Sequence, residues 1–360
     1  MYRSSRVLCT ISKFSASPRY TFGTKIGNFF NRAAPSLTKP DAKADTLKDE
    51  CVVITNGEGG LGADLAIQLA KLKAKVIIWD KNAEVLLHTK KYIKSTAGYD
   101  LEIHSCDLSN REDIYKAAET TQKQYGQVSM VINTVYLSSE RPFLNTNDNL
   151  LDNVFRTNIM SHIWITKAFL PHMVCANKGR FVAISSMAAH TGLPKLTDLC
   201  TTNSAISSFM SALRTELEHT GVTGVKMTCI CPYFLKNSNL HKNAKLRLIH
   251  GVGKEELMER TLKAILNDES EVFMPGWFKF PIALKWYCPN AISTFLKKVL
   301  IKDSNSLPII LDEDEEPNNV RNEEMFDEIR PPPFVEKITA PIAPPKSSIN
   351  ETAQQRLKQI

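Results

Sequence analysis

The chain has 360 residues, 43% of them hydrophobic, which is enough apolar material for one large core, and its formal net charge is +7. That charge is unevenly placed: residues 1–40 carry seven Lys/Arg (Arg3, Arg6, Lys13, Arg19, Lys25, Arg32, Lys39) and no Asp or Glu, and setting them aside leaves 38 basic against 38 acidic residues. The balanced body argues against a nucleic-acid partner, and no apolar run is long enough to span a bilayer.

The leader, residues 1–40, is rich in Ser and Thr with interspersed Leu, Ile, Phe and Tyr. Two readings fit it: a mitochondrial presequence, which forms a basic amphipathic helix, or a basic N-terminal arm. It lacks the uninterrupted apolar stretch of a secretory signal. Residues 41–50 (DAKADTLKDE) read as a polar linker.

From residue 51 the chain alternates apolar runs with helical patterns. Cys51–Thr55 is a short Val/Ile strand, followed by a Gly-rich turn. The helix after it has Leu61, Leu65, Ala66, Leu69 and Ala70 on one side. KVIIWD (75–80), LEIHSCD (101–107), SMVIN (129–133), RFVAIS (180–185) and KMTCIC (226–231) read as further strands. Helices are predicted over 83–97, 110–125, 148–173 and 200–219. This order predicts a single α/β domain of the doubly wound, Rossmann type over 51–302, a parallel sheet with helices on both faces.

Beyond Pro232 the rhythm changes. Residues 240–267 read as helical, and 272–290 (VFMPGWFKFPIALKWYCPN) pack Trp277, Phe278, Phe280, Trp286 and Tyr287 between lysines. The stretch 272–302 is read either as a peripheral membrane contact or lid over an apolar substrate, or as a helix pair covering the core. Residues 303–360, acidic then Pro-rich, lack the apolar density to fold alone and form a tail suited to a protein partner or to solvent. The eight cysteines include no C-x-x-C pair and no His at zinc-site spacing, so no metal is expected. Cys229 and Cys231 share one strand face and read as buried thiols in a reducing compartment.

The loop Thr55-Asn56-Gly57-Glu58-Gly59-Gly60-Leu61-Gly62 stands between the first strand and first helix. Glycines there let the backbone turn sharply and approach a pyrophosphate, while the helix N-terminus offers N–H groups to its charge. Asp80, at the tip of the second strand, is placed to bond the ribose hydroxyls; its charge would repel a 2′-phosphate and favours NAD(H). The alternative for Asp80 is a helix N-cap.

With this loop, LAKLKAKVIIWDKN (69–82), CDLSN (106–110), TNIMSHIWITKAFLPHM (157–173), ISSMAAHTGLPKLTDLCTTN (184–203) and CPYFLKN (231–237), the chain resembles the short-chain dehydrogenase/reductase family. The likeness covers about residues 50–300 and leans to the retinol and hydroxysteroid dehydrogenases. It implies that Asp107 and Leu108 border the adenine, that Asn133 ends the fourth strand beside the cofactor, that Asn158 helps hold a catalytic water and that Ser186 binds the substrate oxygen. It also implies an apolar alcohol or ketone as substrate and a homodimer.

The family's proton-handling pair is a Tyr thirteen residues after the serine and a Lys four residues later. Residues i and i+4 share a helix face, so the ammonium lowers the phenol's pKa and the tyrosinate takes the alcohol proton as hydride leaves. In this chain those positions hold Leu199 and Asn203. No Tyr here is followed by Lys at that spacing, and nothing in the spacing puts His190 or Lys195 on the helix face. Asn56 replaces the loop's first glycine and can keep the left-handed turn. Tyr136 stands where the family has a glycine after the fourth strand, bringing bulk towards the cofactor, and Asn237 replaces a threonine near the nicotinamide. The sequence thus predicts the scaffold of an NAD(H)-dependent oxidoreductase with a catalytically impaired site. Its use would be as a binding or scaffold protein; the alternative is an enzyme with a substitute proton donor.

Overall fold

The computed structural model describes residues 47–56, 60–233, 235 and 251–285. The leader, most of the 41–50 linker, Gly57, Asn237, residues 286–302 and the 303–360 tail lie outside the described residues.

Seven parallel strands form one sheet in the order β3-β2-β1-β4-β5-β6-β7. They are β1 (Cys51–Thr55), β2 (Lys75–Asp80), β3 (Glu102–Ser105), β4 (Met130–Asn133), β5 (Gly179–Ile184), β6 (Val225–Pro232) and β7 (Glu271–Met274). The helices between them are α1 (Gly60–Lys71), α2 (Ala83–Ala97), α3 (Arg111–Tyr125), α4 (Asp148–Phe155), α5 (Ser161–Cys175), α6 (Thr197–His219) and α7 (Lys254–Leu266), with a short α8 (Lys279–Lys285) after β7.

The strands are continuous apolar runs because both faces of the sheet are covered. Alternate residues serve opposite cores. Val52, Ile54, Val76 and Ile78 pack with Leu65, Leu69, Leu86, Ile93, Leu257 and Ile265 on one face. Val53, Ile77 and Trp79 pack with Ile114, Ile165, Phe169, Ile206 and Met210 on the other. Helix ends follow local chemistry. Asn82 caps α2 by accepting from the N–H groups of Glu84 and Val85, and Gly98 ends that helix at φ 75°. Asn110 caps α3 in the same way. Asn82, not Asp80, is therefore the α2 cap.

Three differences from the sequence reading have physical causes. Leu47, inside the expected linker, is buried in the core, and the Asp49 N–H donates to the Lys73 carbonyl at 3.0 Å, so the folded unit begins before residue 51. The expected helix 148–173 contains a wider, π-type turn over Arg156–Met160. The aromatic stretch starts as a strand, not a helix: Val272, Phe273 and Met274 are buried in β7, paired to Ile230, Cys231 and Pro232. The aromatic density hid a four-residue strand too short to show a period. Past it, Trp277 and Phe280 are exposed, and no described helix is long and apolar enough to cross a membrane.

β1 is flanked by β2 on one side and β4 on the other, and the sheet winds outward from there in both directions. That reversal opens a crevice at the carboxyl ends of β1 and β4, the general ligand position in such sheets.

Candidate cofactor cleft and catalytic segment

The tips of β1 and β4 are in register, with Thr55 opposite Asn133. The Thr55 hydroxyl donates to Asn133 Oδ1 at 3.0 Å, and the Thr134 hydroxyl donates to the Thr55 carbonyl at 2.6 Å. Asn56 adopts φ 55°, so asparagine does hold the left-handed turn where the loop pattern has glycine; Gly60 follows at φ 57°. Leu61 and Gly62 lie in the first turn of α1. The N-terminus of that helix therefore faces the crevice, as a pyrophosphate site requires.

Asp80 ends β2 and is buried, with Oδ1 accepting from the Lys81 N–H at 2.7 Å. Asp107 follows β3. Burial pushes its carboxyl up, but the Ser109 hydroxyl and N–H and the Lys81 ammonium, 2.9 Å away, outweigh this and hold it below the usual carboxylate range. Leu108 beside it is buried.

Sequence reasoning missed His162, whose imidazole is fully enclosed on α5. Its Nδ1 lies 3.0 Å from Asn133 Nδ2, which extends the chain Thr55–Asn133–His162 from β1 through β4 into the helix layer. Nε2 has no hydrogen-bond partner among the described residues. Burial alone pushes this imidazole down to about 3, so it is neutral at physiological pH. Its position one turn after Asn158 was the available signal.

Asn158 sits in the π turn. Its Oδ1 accepts from the Leu137 N–H at 2.9 Å, and its Nδ2 donates to the Leu137 carbonyl at 2.7 Å and to Thr202 Oγ1 at 3.1 Å. The side chain therefore pins the loop after β4 to the π turn and α6. Asp198, also missed, reinforces this loop: its carboxylate accepts from the Ser138 hydroxyl at 3.2 Å and the Ser139 N–H at 2.6 Å.

The catalytic segment starts where β5 ends. Ser186 Oγ accepts from the Ala188 N–H at 3.1 Å and caps the short 3-10 turn Met187–Ala189. Helix α6 begins at Thr197, three residues before the expected start, so Leu199 lies in its first turn, only 2% exposed. Asn203, 5% exposed, is one turn on, and its amide is occupied at both ends. Oδ1 accepts from the Ser185 hydroxyl at 3.0 Å, and Nδ2 donates to the Leu199 carbonyl at 2.9 Å. An amide can make these two bonds at once; an ammonium has no acceptor. The fold thus brings Ser186, Asn158, Leu199 and Asn203 together on β5, the π turn and α6, with an aliphatic side chain and a self-contained amide at the proton-handling positions.

Three other described groups near the segment are Tyr136, Lys195 and His190. Tyr136 lies on the loop after β4. Its ring is 40% exposed, yet desolvation first, then the charges of Glu140 and Asp198, drive the phenol well above its ordinary value. A catalytic tyrosine needs the opposite shift. Lys195 is exposed at φ 63° before the helix, and His190 turns to Glu271, 3.8 Å from its carboxylate.

The family model described as short chain dehydrogenase matches residues 50–247. Estradiol 17-beta-dehydrogenase 11 of Pongo abelii is 34% identical over 255 residues, covering 70% of this chain and 84% of that protein. The 17-beta-hydroxysteroid dehydrogenase 13 of Homo sapiens is 30% identical over 254 residues, covering 71% and 84%. Epidermal retinol dehydrogenase 2 of Mus musculus is 32% identical over 243 residues, covering 67% and 78%. Among solved structures, a metagenomic short-chain oxidoreductase in complex with NADP superimposes with TM-score 0.54 at 21% identity, over 63% of this chain and 97% of its own. An actinorhodin polyketide ketoreductase variant with NADPH gives TM-score 0.58 at 20% identity, over 63% and 96%.

Proposed function

This chain belongs to the short-chain dehydrogenase family, in its retinol and hydroxysteroid branch, and from that premise we propose that it binds NAD(H) without turning over a substrate, acting as a binding or scaffold protein. One observation carries the reading. At the two positions where the family holds its acid–base pair, Leu199 is packed into the core and the Asn203 amide is bonded to Ser185 and Leu199. Positioned acid–base groups contribute about 10²–10⁴-fold to rate, and neither residue can transfer a proton. Retained cofactor binding is supported by the left-handed Asn56, the register of Thr55 with Asn133 and the buried Asp80 at the β2 tip. That carboxylate favours NAD(H) over its 2′-phosphorylated form.

The test is calorimetric titration of the full chain with NADH and NADPH, followed by hydride-transfer assays on a panel of apolar alcohols and ketones. The reading expects NADH binding and no turnover above a Ser186→Ala control. The second reading, an oxidoreductase on an apolar alcohol or ketone, is favoured by the retained Ser186 at the end of β5. Turnover that Ser186→Ala abolishes would establish it.

A further inference from the structure

We propose that His190, Cys231 and Glu271 form a zinc site beside the altered catalytic segment. This goes beyond the NAD(H) reading and does not depend on it. The three residues come from separate parts of the chain: the turn after the 3-10 helix, the end of β6 and the first residue of β7. Their donor atoms, one imidazole nitrogen, one thiol sulfur and one carboxylate oxygen, all lie within 4.8 Å of one another. Zinc bonds of about 2.0–2.3 Å put tetrahedral ligand atoms roughly 3.3–3.8 Å apart. The His190 Nε2 to Glu271 Oε1 edge is already 3.8 Å, so small rotamer shifts close the set.

The surroundings favour a metal over an isolated ion pair. A thiolate and a carboxylate balance the two charges of Zn²⁺ while the imidazole stays neutral, and a nitrogen–sulfur–oxygen set suits this borderline ion. Cys229, paired with Glu271 across the strands, lies 3.9 Å sulfur to sulfur from Cys231. It or a water completes the fourth position. The supporting contacts that orient such ligands are present. The Ser207 hydroxyl donates to Glu271 Oε1 at 3.3 Å, the Ser204 hydroxyl holds the Ala189 carbonyl at 2.6 Å, and the His190 ring packs on Phe273 with centroids 5.0 Å apart. Met187, Phe273 and Phe278 enclose the cysteines in an apolar shell, and Glu271, part exposed, gives the ion a way in.

The experiment uses the untagged full chain, stripped with chelator and titrated with Zn²⁺ by calorimetry and with Co²⁺ by visible absorption. The expected result is one ion per chain, a thiolate-to-cobalt absorption band and a higher melting temperature with zinc. Glu271→Gln should weaken binding at least tenfold, and Ser207→Ala about 10–100-fold, as outer contacts of metal sites do. Cys231→Ser should abolish the cobalt band; since Cys231 is buried and that variant can fail to fold, the two changes at part-exposed positions decide the matter independently. Absence of stoichiometric zinc binding overturns the proposal. So does wild-type affinity in both Glu271→Gln and Ser207→Ala, which would locate the metal on other residues.

Discussion

Two groups of residues lie along the same carboxyl edge of the sheet and have diverged differently. Around β1, β2 and β4, the contacts of Thr55, Asn56, Asp80 and Asn133 link strand tips to each other and keep the backbone shape of a dinucleotide cleft. Around β5 and α6, Ser185, Leu199 and Asn203 satisfy one another. The first region has departed from the family pattern by substitutions that preserve geometry, as Asn56 preserves a left-handed turn. The second keeps the backbone and carries Leu199 and Asn203 where the family has its Tyr and Lys. On the proposed reading, binding and turnover separate along one sheet edge, because the fold needs strand tips in register but does not need a titratable phenol.

The largest effect expected is in the second region. Leu199→Tyr combined with Asn203→Lys should raise hydride transfer by about 10²–10⁴-fold over wild type. Steady-state assays with a retinoid or steroid alcohol read this; no gain would mean that the cofactor region is altered as well, and the contrast would fail. Next, Leu199 should now behave as a core residue. Leu199→Ala is expected to lower stability by about 2–5 kcal/mol, measured by denaturant unfolding, whereas a residue facing an open cleft would lose little.

In the first region, Asp80→Ala should weaken NADH about 10–100-fold, in line with the roughly 1.5–3 kcal/mol of a hydrogen bond to a charged group. Calorimetry measures it, and an unchanged affinity would remove Asp80 from the ribose site. The last effect concerns His162, behind the cleft. Its folded value, about 3, lies below the ordinary 6.5, so the unfolded chain binds the extra proton between these limits. The linked stability is complete above pH 6.5 and falls by up to about 1.4 kcal/mol per pH unit below it. Unfolding of wild type and His162→Phe between pH 7 and pH 4.5 should show a shallower acid slope in the variant.

The winding of the fold was legible in the sequence because runs such as Val52–Ile54 and Val76–Trp79, buried on both faces, leave an apolar signature that helices do not share. β7 was not, since four residues among aromatic neighbours carry no period. At the site, the identities of Leu199 and Asn203 could be read by counting from Ser186, but not what they do. That Asn203 bonds Ser185 and the Leu199 carbonyl depends on the approach of β5 to α6. His162 and Asp198 were missed for the same reason, as their partners lie 29 and 60 positions away in the chain. The His190, Cys231 and Glu271 cluster has no local spacing at all.

The most direct test of the central claim is a paired measurement on the full chain: NADH affinity by calorimetry, and hydride transfer at saturating NAD⁺ with a retinoid or steroid alcohol, each beside Ser186→Ala. The account predicts saturable NADH binding in both proteins and transfer no faster in wild type than in the variant. Transfer that exceeds the Ser186→Ala control would contradict it.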